Sequence, residues 1–167
     1  MLSNLINESI KDTIPEMDKW TGAKYENIKR ASLTAKGKFG EKLAVAIAKY
    51  LELDAKSTGA YTGFFDIFIN EKYVEVKTAT LDVNGNFQFN GVRKVRKYDY
   101  ILFVGVCYDE IVYEIYDKKY IMENCHLTRM DGEQDGNGSF KLTLKKDKLL
   151  NDKEFCKKLK GLFNDVN

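Results

Sequence analysis

The stretch from Phe64 to Lys77 leaves this chain little freedom in how it folds. Phe64-Phe65-Asp66-Ile67-Phe68-Ile69 and Lys72-Tyr73-Val74-Glu75-Val76-Lys77 both read as strands, and only Asn70-Glu71 separates them. A two-residue hairpin loop pairs Ile69 with Lys72 and fixes the register of every pair behind it. Because side chains alternate between faces, Phe65, Ile67, Ile69, Val74 and Val76 form one apolar side. The opposite side receives Phe64, Asp66, Phe68, Tyr73, Glu75 and Lys77, with Asp66 directly across from Glu75.

Elements of both kinds surround this hairpin. Ser3 to Ser32 suggests helix in two pieces, with Pro15 in the first turn of the second and Trp20, Tyr25 and Ile28 packing it down. Gly37 to Leu51 places Gly40, Leu43, Ala44, Ile47, Ala48 and Leu51 on one helical stripe, with lysines opposite and Glu41 at the border. A loop with Gly59 and Gly63 precedes the hairpin. Beyond it, Asn84-Gly85 signals a turn between Leu81-Asp82-Val83 and Phe87-Gln88-Phe89, a second hairpin, with Tyr100 to Cys107 a buried strand and Ile111 to Tyr116 its partner. Phe140 to Leu144 reads as a short strand, and Lys146 to Phe163 as a closing helix with Leu149, Phe155, Leu159 and Leu162 inward. Helix, hairpin, further strands and helix predict an α/β fold, bordering on α+β, with a mixed sheet flanked by helices. At 167 residues, without repeats or linkers, the chain reads as a single domain, 1–167.

Like charges directly opposite on paired strands have Cβ atoms about 4.5–5.5 Å apart and destabilise the sheet, unless a cation sits between them. Asp66 and Glu75 offer two hard oxygen ligands, and strand periodicity returns Lys77 to the same side. Mg²⁺ takes one or two carboxylates and keeps water and phosphate oxygens in its remaining positions. A bound divalent ion activates water and stabilises charge on a phosphate under attack. This set suits phosphodiester hydrolysis, with Lys77 orienting or deprotonating the water or neutralising the pentavalent intermediate. Other chemistries find less support. His126 is the only histidine, which disfavours His-based triads and His-ligated zinc. Cys107, Cys125 and Cys156 offer no CxxC pair and read as free, reduced thiols of a cytoplasmic protein. The Asp131–Gly136 run imitates a calcium loop but has Leu142 where a bidentate Glu is required. Gly37-Lys38-Phe39-Gly40-Glu41-Lys42 is not a phosphate loop, and its glycines read as helix-start and close-packing positions.

In these residues the chain resembles the PD-(D/E)XK nuclease superfamily, in which an Asp on one core strand is followed by Glu/Asp-x-Lys on the next. The match is Asp66, then Glu75-Val76-Lys77, with Glu41 as the acid from a preceding helix; Phe65 replaces the proline usually written before the Asp. The resemblance spans roughly Lys36 to Val106. It implies a restriction-endonuclease-like mixed sheet flanked by helices, with a catalytic core over 36–106; outside that core the chain reads as a helical arm over 1–35 and a sheet extension with closing helix over 107–167. It also implies Mg²⁺ held by Asp66, Glu75 and the Val76 carbonyl, Lys77 acting on the water, and Glu41 supporting a metal or the lysine. The expected activity is a type II restriction endonuclease, a homodimer on double-stranded DNA. A structure-selective nuclease, such as a Holliday junction resolvase or repair enzyme, and a non-catalytic nucleic-acid-binding module are the alternatives.

Net charge is only +2, but its distribution is uneven. Asp99 to Asp135 holds nine acids against three bases, and Lys141 to Lys160 holds eight lysines against three acids, the latter readable as a solvated helix face. Arg93, Lys94, Arg96 and Lys97 crowd one short stretch directly after Gln88 and Asn90. Amides bond bidentately to adenine, arginine to guanine, and bases in general to phosphate, so these six residues are the candidate DNA contacts. Gln88 and Asn90 equally fit the exposed side of a strand whose Phe87 and Phe89 are core. No run of apolar residues approaches the ~20 needed to span a bilayer.

Overall fold

A computed structural model describes residues 2–13, 19–58, 65–130 and 138–164. Pro15, Gly59, Gly63, Phe64 and the Asp131–Gly136 run lie outside these residues. The helices are α1 (Leu2–Thr13), α2 (Glu26–Arg30), α3 (Leu33–Tyr50), α4 (Lys118–Asn124) and α5 (Asp152–Asn164). The strands are β1 (Ala55–Ser57), β2 (Ile67–Ile69), β3 (Lys72–Thr80), β4 (Asn86–Arg93), β5 (Tyr100–Val106), β6 (Ile111–Asp117), β7 (Leu127–Arg129) and β8 (Ser139–Lys145). Five of them form a mixed sheet in the order β1-β2-β3-β5-β6, with β3 and β5 parallel and the other neighbours antiparallel. The rest form a separate antiparallel sheet, β4-β8-β7. The expected class, mixed sheet with flanking helices, is the one observed.

The β2–β3 hairpin has the register its short loop requires, with Ile69 opposite Lys72 and Ile67 opposite Val74. Both loop residues are left-handed, Asn70 at φ 41° and Glu71 at φ 65°. Asn70 is anchored there: its Oδ1 accepts from Asp54 N at 2.8 Å and its Nδ2 donates to the Phe163 carbonyl at 3.0 Å. The ladder stops at Ile67–Val74, however, one pair before the predicted Asp66–Glu75. Phe65 leaves the apolar side as well and stacks on Tyr73 at 4.2 Å. The cause is local. Thr58 Oγ1 donates to the Phe65 and Asp66 carbonyls, each at 3.0 Å, and draws this segment out of the pleat.

The second predicted hairpin takes another course. Its turn is present, with Gly85 at φ 76° and Asp82 Oδ1 accepting from Asn84 N and Asn86 N, each at 2.9 Å. Yet Leu81-Asp82-Val83, the arm expected to pair with Phe87-Gln88-Phe89, is not a strand, and β4 pairs instead with β8. Phe87 and Phe89 are fully buried, and Gly105 makes the room: a Cβ there would meet the Phe87 ring at 2.8 Å.

Two apolar clusters sandwich the five-stranded sheet. One joins Ala44 and Ala48 of α3 to Ile67, Val74, Val76 and the α5 residues Phe155, Leu159 and Phe163. The other joins Phe103 and Ala79 to Trp20, the second sheet and Ile121 of α4. The closing helix starts later than its periodicity suggests. A 3₁₀ turn occupies Lys146–Lys148, and α5 begins at a reciprocal cap, with Asn151 Oδ1 accepting from Glu154 N and Glu154 Oε2 from Asn151 N. Among the described residues no helix is long and apolar enough to cross a membrane, and Cys107, Cys125 and Cys156 are free.

Helix α3 seats on β3 at Gly40, where a Cβ would lie 1.9 Å from Thr78 Oγ1 and 3.3 Å from Thr78 Cβ. Gly40→Ala is therefore expected to destabilise the protein by about 1–3 kcal/mol, outweighing the roughly 1 kcal/mol that alanine gains within a helix. Thr78 Oγ1 is buried without a hydrogen-bond partner among the described residues, so adding Thr78→Ala should recover most of that loss. Urea midpoints of the single and double variants measure it; a Gly40→Ala protein as stable as the parent would contradict the contact.

Candidate active site

The site lies where β2 ends and β3 continues. Beyond Val74 the β2-facing edge of β3 has lost its ladder partner, and Asp66 takes over. Its N–H donates to the Val74 carbonyl at 3.2 Å, and its Oδ2 accepts from Val76 N at 2.8 Å. An aspartate that satisfies nearby backbone in this way suits the end of a strand. In an extended strand the N–H and C=O of one residue point to the same edge, so the Val76 carbonyl also lies on the side of Asp66.

Alternation along β3 sends Val76 and Thr78 toward α3, and Glu75 and Lys77 to the opposite face. Glu75 is fully buried, at 0% exposure, which is rare for a carboxylate without partners. Its Oε1 accepts from Lys77 Nζ at 2.5 Å and from Arg96 Nη1 at 2.8 Å. Its Oε2 is buried with no hydrogen-bond partner among the described residues. Burial pushes the Glu75 carboxyl above the usual range; Lys77 pulls it back, Asp66 adds to the rise, and Arg96 opposes it. Glu41, half-buried on α3, is also raised, by burial first and then by the charges of Asp66 and Glu75. Three acids thus share one electrostatic neighbourhood, with Lys77 lowering both raised carboxyls.

Glu41, Asp66, Val76, Lys77, Gln88 and Asn90 all line one cleft of about 630 Å³. The floor is β3; α3 forms one wall and the second sheet the other. Gly91, at φ 78°, passes close to the amine, and a Cβ there would lie 3.8 Å from Lys77 Nζ. Of the bases grouped with Gln88 and Asn90, Arg93, Lys94 and Lys97 are exposed. Lys94 Nζ sits 4.3 Å from the Phe140 ring centroid. Arg96 is placed apart from them, turned inward onto Glu75. Sequence reasoning did not find that contact, nor the cations at the α2–α3 side of the cleft, Lys29 and Lys36. Lys29 Nζ donates to Thr80 Oγ1 at 3.4 Å. Neither carries a spacing signal, since each reaches the cleft only through tertiary packing.

Among the described residues no three carboxylate, imidazole or thiolate side chains converge closely enough to enclose a metal ion by themselves. A cation here would depend on few protein ligands: Asp66, Glu75 and the Val76 carbonyl, with Glu41 behind them. The edge shared by Asp66 and the Val76 carbonyl opens on the cleft, whereas Glu75 is not among the cleft-lining residues and its unpartnered Oε2 is buried behind them; these are the hard oxygens a divalent ion would take.

No family model matches the chain, and no curated protein matches it in sequence. Among solved structures it is similar to a bacterial homing endonuclease, with a TM-score of 0.50 and 11% identity over 80% of this chain and 93% of the other. At that identity the likeness is one of fold, and this chain shares the fold of a nuclease.

Proposed function

We propose that this protein is a metal-dependent DNA endonuclease of the PD-(D/E)XK kind. The observation that carries the reading is the buried Glu75, held by Lys77 and sharing its field with Asp66 and Glu41, behind a cleft that those three residues line. Four titratable groups in mutual reach, two of them with raised carboxyls, are the kind of cluster that marks a functional site. The similarity of fold to a homing endonuclease supports the same reading.

In this proposal Asp66, Glu75 and the Val76 carbonyl hold Mg²⁺, and Glu41 supports it. The ion, when bound, supplies an activated water and charge stabilisation at the scissile phosphate. Lys77 orients or deprotonates the attacking water, or neutralises the charge that builds on the phosphorus oxygens. Gln88 and Asn90 contact the strand entering the cleft, and Arg93, Lys94 and Lys97 hold phosphates at its mouth. Arg96 serves both ends, restraining Glu75 and adding positive charge beside the substrate. A homodimeric type II restriction enzyme, each subunit cutting one strand, is the form we favour.

Supercoiled plasmid incubated with purified protein tests this directly. Nicked, linear or fragmented DNA is expected with Mg²⁺ and none with EDTA, and discrete fragments would identify sequence-specific cutting. Cleavage confined to branched substrates would replace the restriction reading by a resolvase. Intact DNA under every metal and substrate would leave a binding module.

A further inference from the structure

The second sheet buries one face and leaves the other uncovered. Phe87, Phe89 and Leu142 pack inward, so alternation turns Gln88 and Asn90 of β4, Thr143 and Lys145 of β8, and Thr128 of β7 to solvent. The pairing joins them into one surface, with Gln88 opposite Thr143 and Thr128 opposite Lys141. Lys141 lies across it, its Nζ donating to Gln88 Oε1 at 3.3 Å. Amides, hydroxyls and amines make up this outward set, with no carboxylate in it among the described residues. At the turn below, Asp82 Oδ2 accepts from Gln88 Nε2 at 3.4 Å. Gln88, Asn90 and Ser139 from this face are also the wall of the cleft that holds Lys77, so a polyanion lying on the sheet runs on into the candidate active site.

We propose that the outer face of β4-β8-β7 reads base edges in the major groove of duplex DNA. The inference rests on the DNA reading above. The major groove, about 12 Å wide, admits a two-stranded β-ribbon, and two neighbouring strands occupy about 10 Å; β4 and β8 are that pair, with β7 at their flank. In that groove an amide bonds two edges of adenine, a threonine offers both a hydroxyl and a methyl, and lysine reaches guanine or phosphate. Gln88, Asn90 and Thr143 supply sequence preference; Lys141 and Lys145 supply charge. Part of the lysine-rich stretch after Lys141 thereby belongs to a strand facing DNA rather than to a solvated helix.

The test separates reading from cutting. The full chain is mixed in EDTA with duplexes carrying a randomised centre, and the bound fraction is sequenced, while Mg²⁺-dependent plasmid cleavage is followed in parallel. The parent should enrich a motif. Gln88→Ala and Thr143→Ala should each erase preference at one or two positions and weaken the best site about 10-fold. Lys141→Ala should weaken all duplexes alike and lower the log–log salt slope by about one. If these variants select the parental motif with parental affinity while plasmid is still cut, the face is not the reader and the nuclease reading survives. If the motif shifts as expected but plasmid is never cut, the face stands and the nuclease reading falls. No enrichment by the parent overturns the proposal.

Discussion

Lys77→Ala is expected to slow single-turnover DNA cleavage by about 10³-fold or more, with duplex affinity within a few-fold of the parent. In the proposed mechanism the amine acts on the water or on transition-state charge, while the walls of the cleft hold the DNA, so chemistry and binding separate. Lys77 has a second duty that complicates the result. It is one of two cations on the fully buried Glu75, and its own side chain is only 15% exposed. Removing it leaves a desolvated carboxylate with Arg96 alone, which should lower stability by about 1–3 kcal/mol, less than the cost of stripping such a group of every partner. Lys77→Arg resolves the ambiguity. It keeps a cation beside Glu75 and should melt near the parent, yet it exchanges an amine for a guanidinium that does not deprotonate water. Retained stability with lost cleavage assigns the amine to proton transfer; retained stability with retained cleavage assigns it to charge. Full turnover in Lys77→Ala would remove Lys77 from the mechanism.

How much of this was legible beforehand depends on what set each feature. The β2–β3 register was readable because a two-residue loop and a period of two leave one solution, and the observed pairs obey it. It failed at Phe65 and Asp66, where Thr58 and the Val74 and Val76 peptides decide the path. No local pattern encodes those partners. The turn at Asn84-Gly85 was readable from its residues, but the partner of β4 was not, since β8 lies far along the chain and only tertiary folding brings it alongside. Strands β1 and β7, three residues each, are too short for alternation to register. Two signals were present and went unread. The Asn151–Glu154 cap marks the true start of α5, and Asp117 caps α4 by accepting from Tyr120 N at 2.7 Å. At the candidate site, grouping Arg96 with its basic neighbours followed charge density. Its contact with Glu75, 21 residues away, depends on how the β4–β5 connection folds back.

Glu75→Gln should abolish cleavage to a similar degree, by about 10³-fold, since the proposed ion loses a carboxylate it cannot replace. Its effect on stability distinguishes a site built for a cation from a structural ion pair. Burial raises the Glu75 carboxyl above its unfolded value of about 4.3, so without metal the folded state holds this proton more tightly than the unfolded chain. The resulting stabilisation is fully present below the unfolded value and disappears as pH rises through the raised one. Glu41 adds to the same trend. Metal-free parent should therefore lose stability from these groups as pH rises above the ordinary carboxylate range. Glu75→Gln should flatten that profile and melt at or above the parent at neutral pH, even though Lys77 and Arg96 lose their counter-charge, because Glu41 still faces Lys77 and Arg96 is 29% exposed. Mg²⁺ should raise the parent's melting temperature and leave the variant's almost unchanged, since an ion binding only the folded state stabilises by RT ln(1 + [L]/Kd). Melting curves from pH 4 to 8, with and without Mg²⁺, measure all three effects. A marked metal-free drop at neutral pH would mean that the Lys77–Glu75–Arg96 cluster holds the fold together, and the case for a cation site between these acids would be lost.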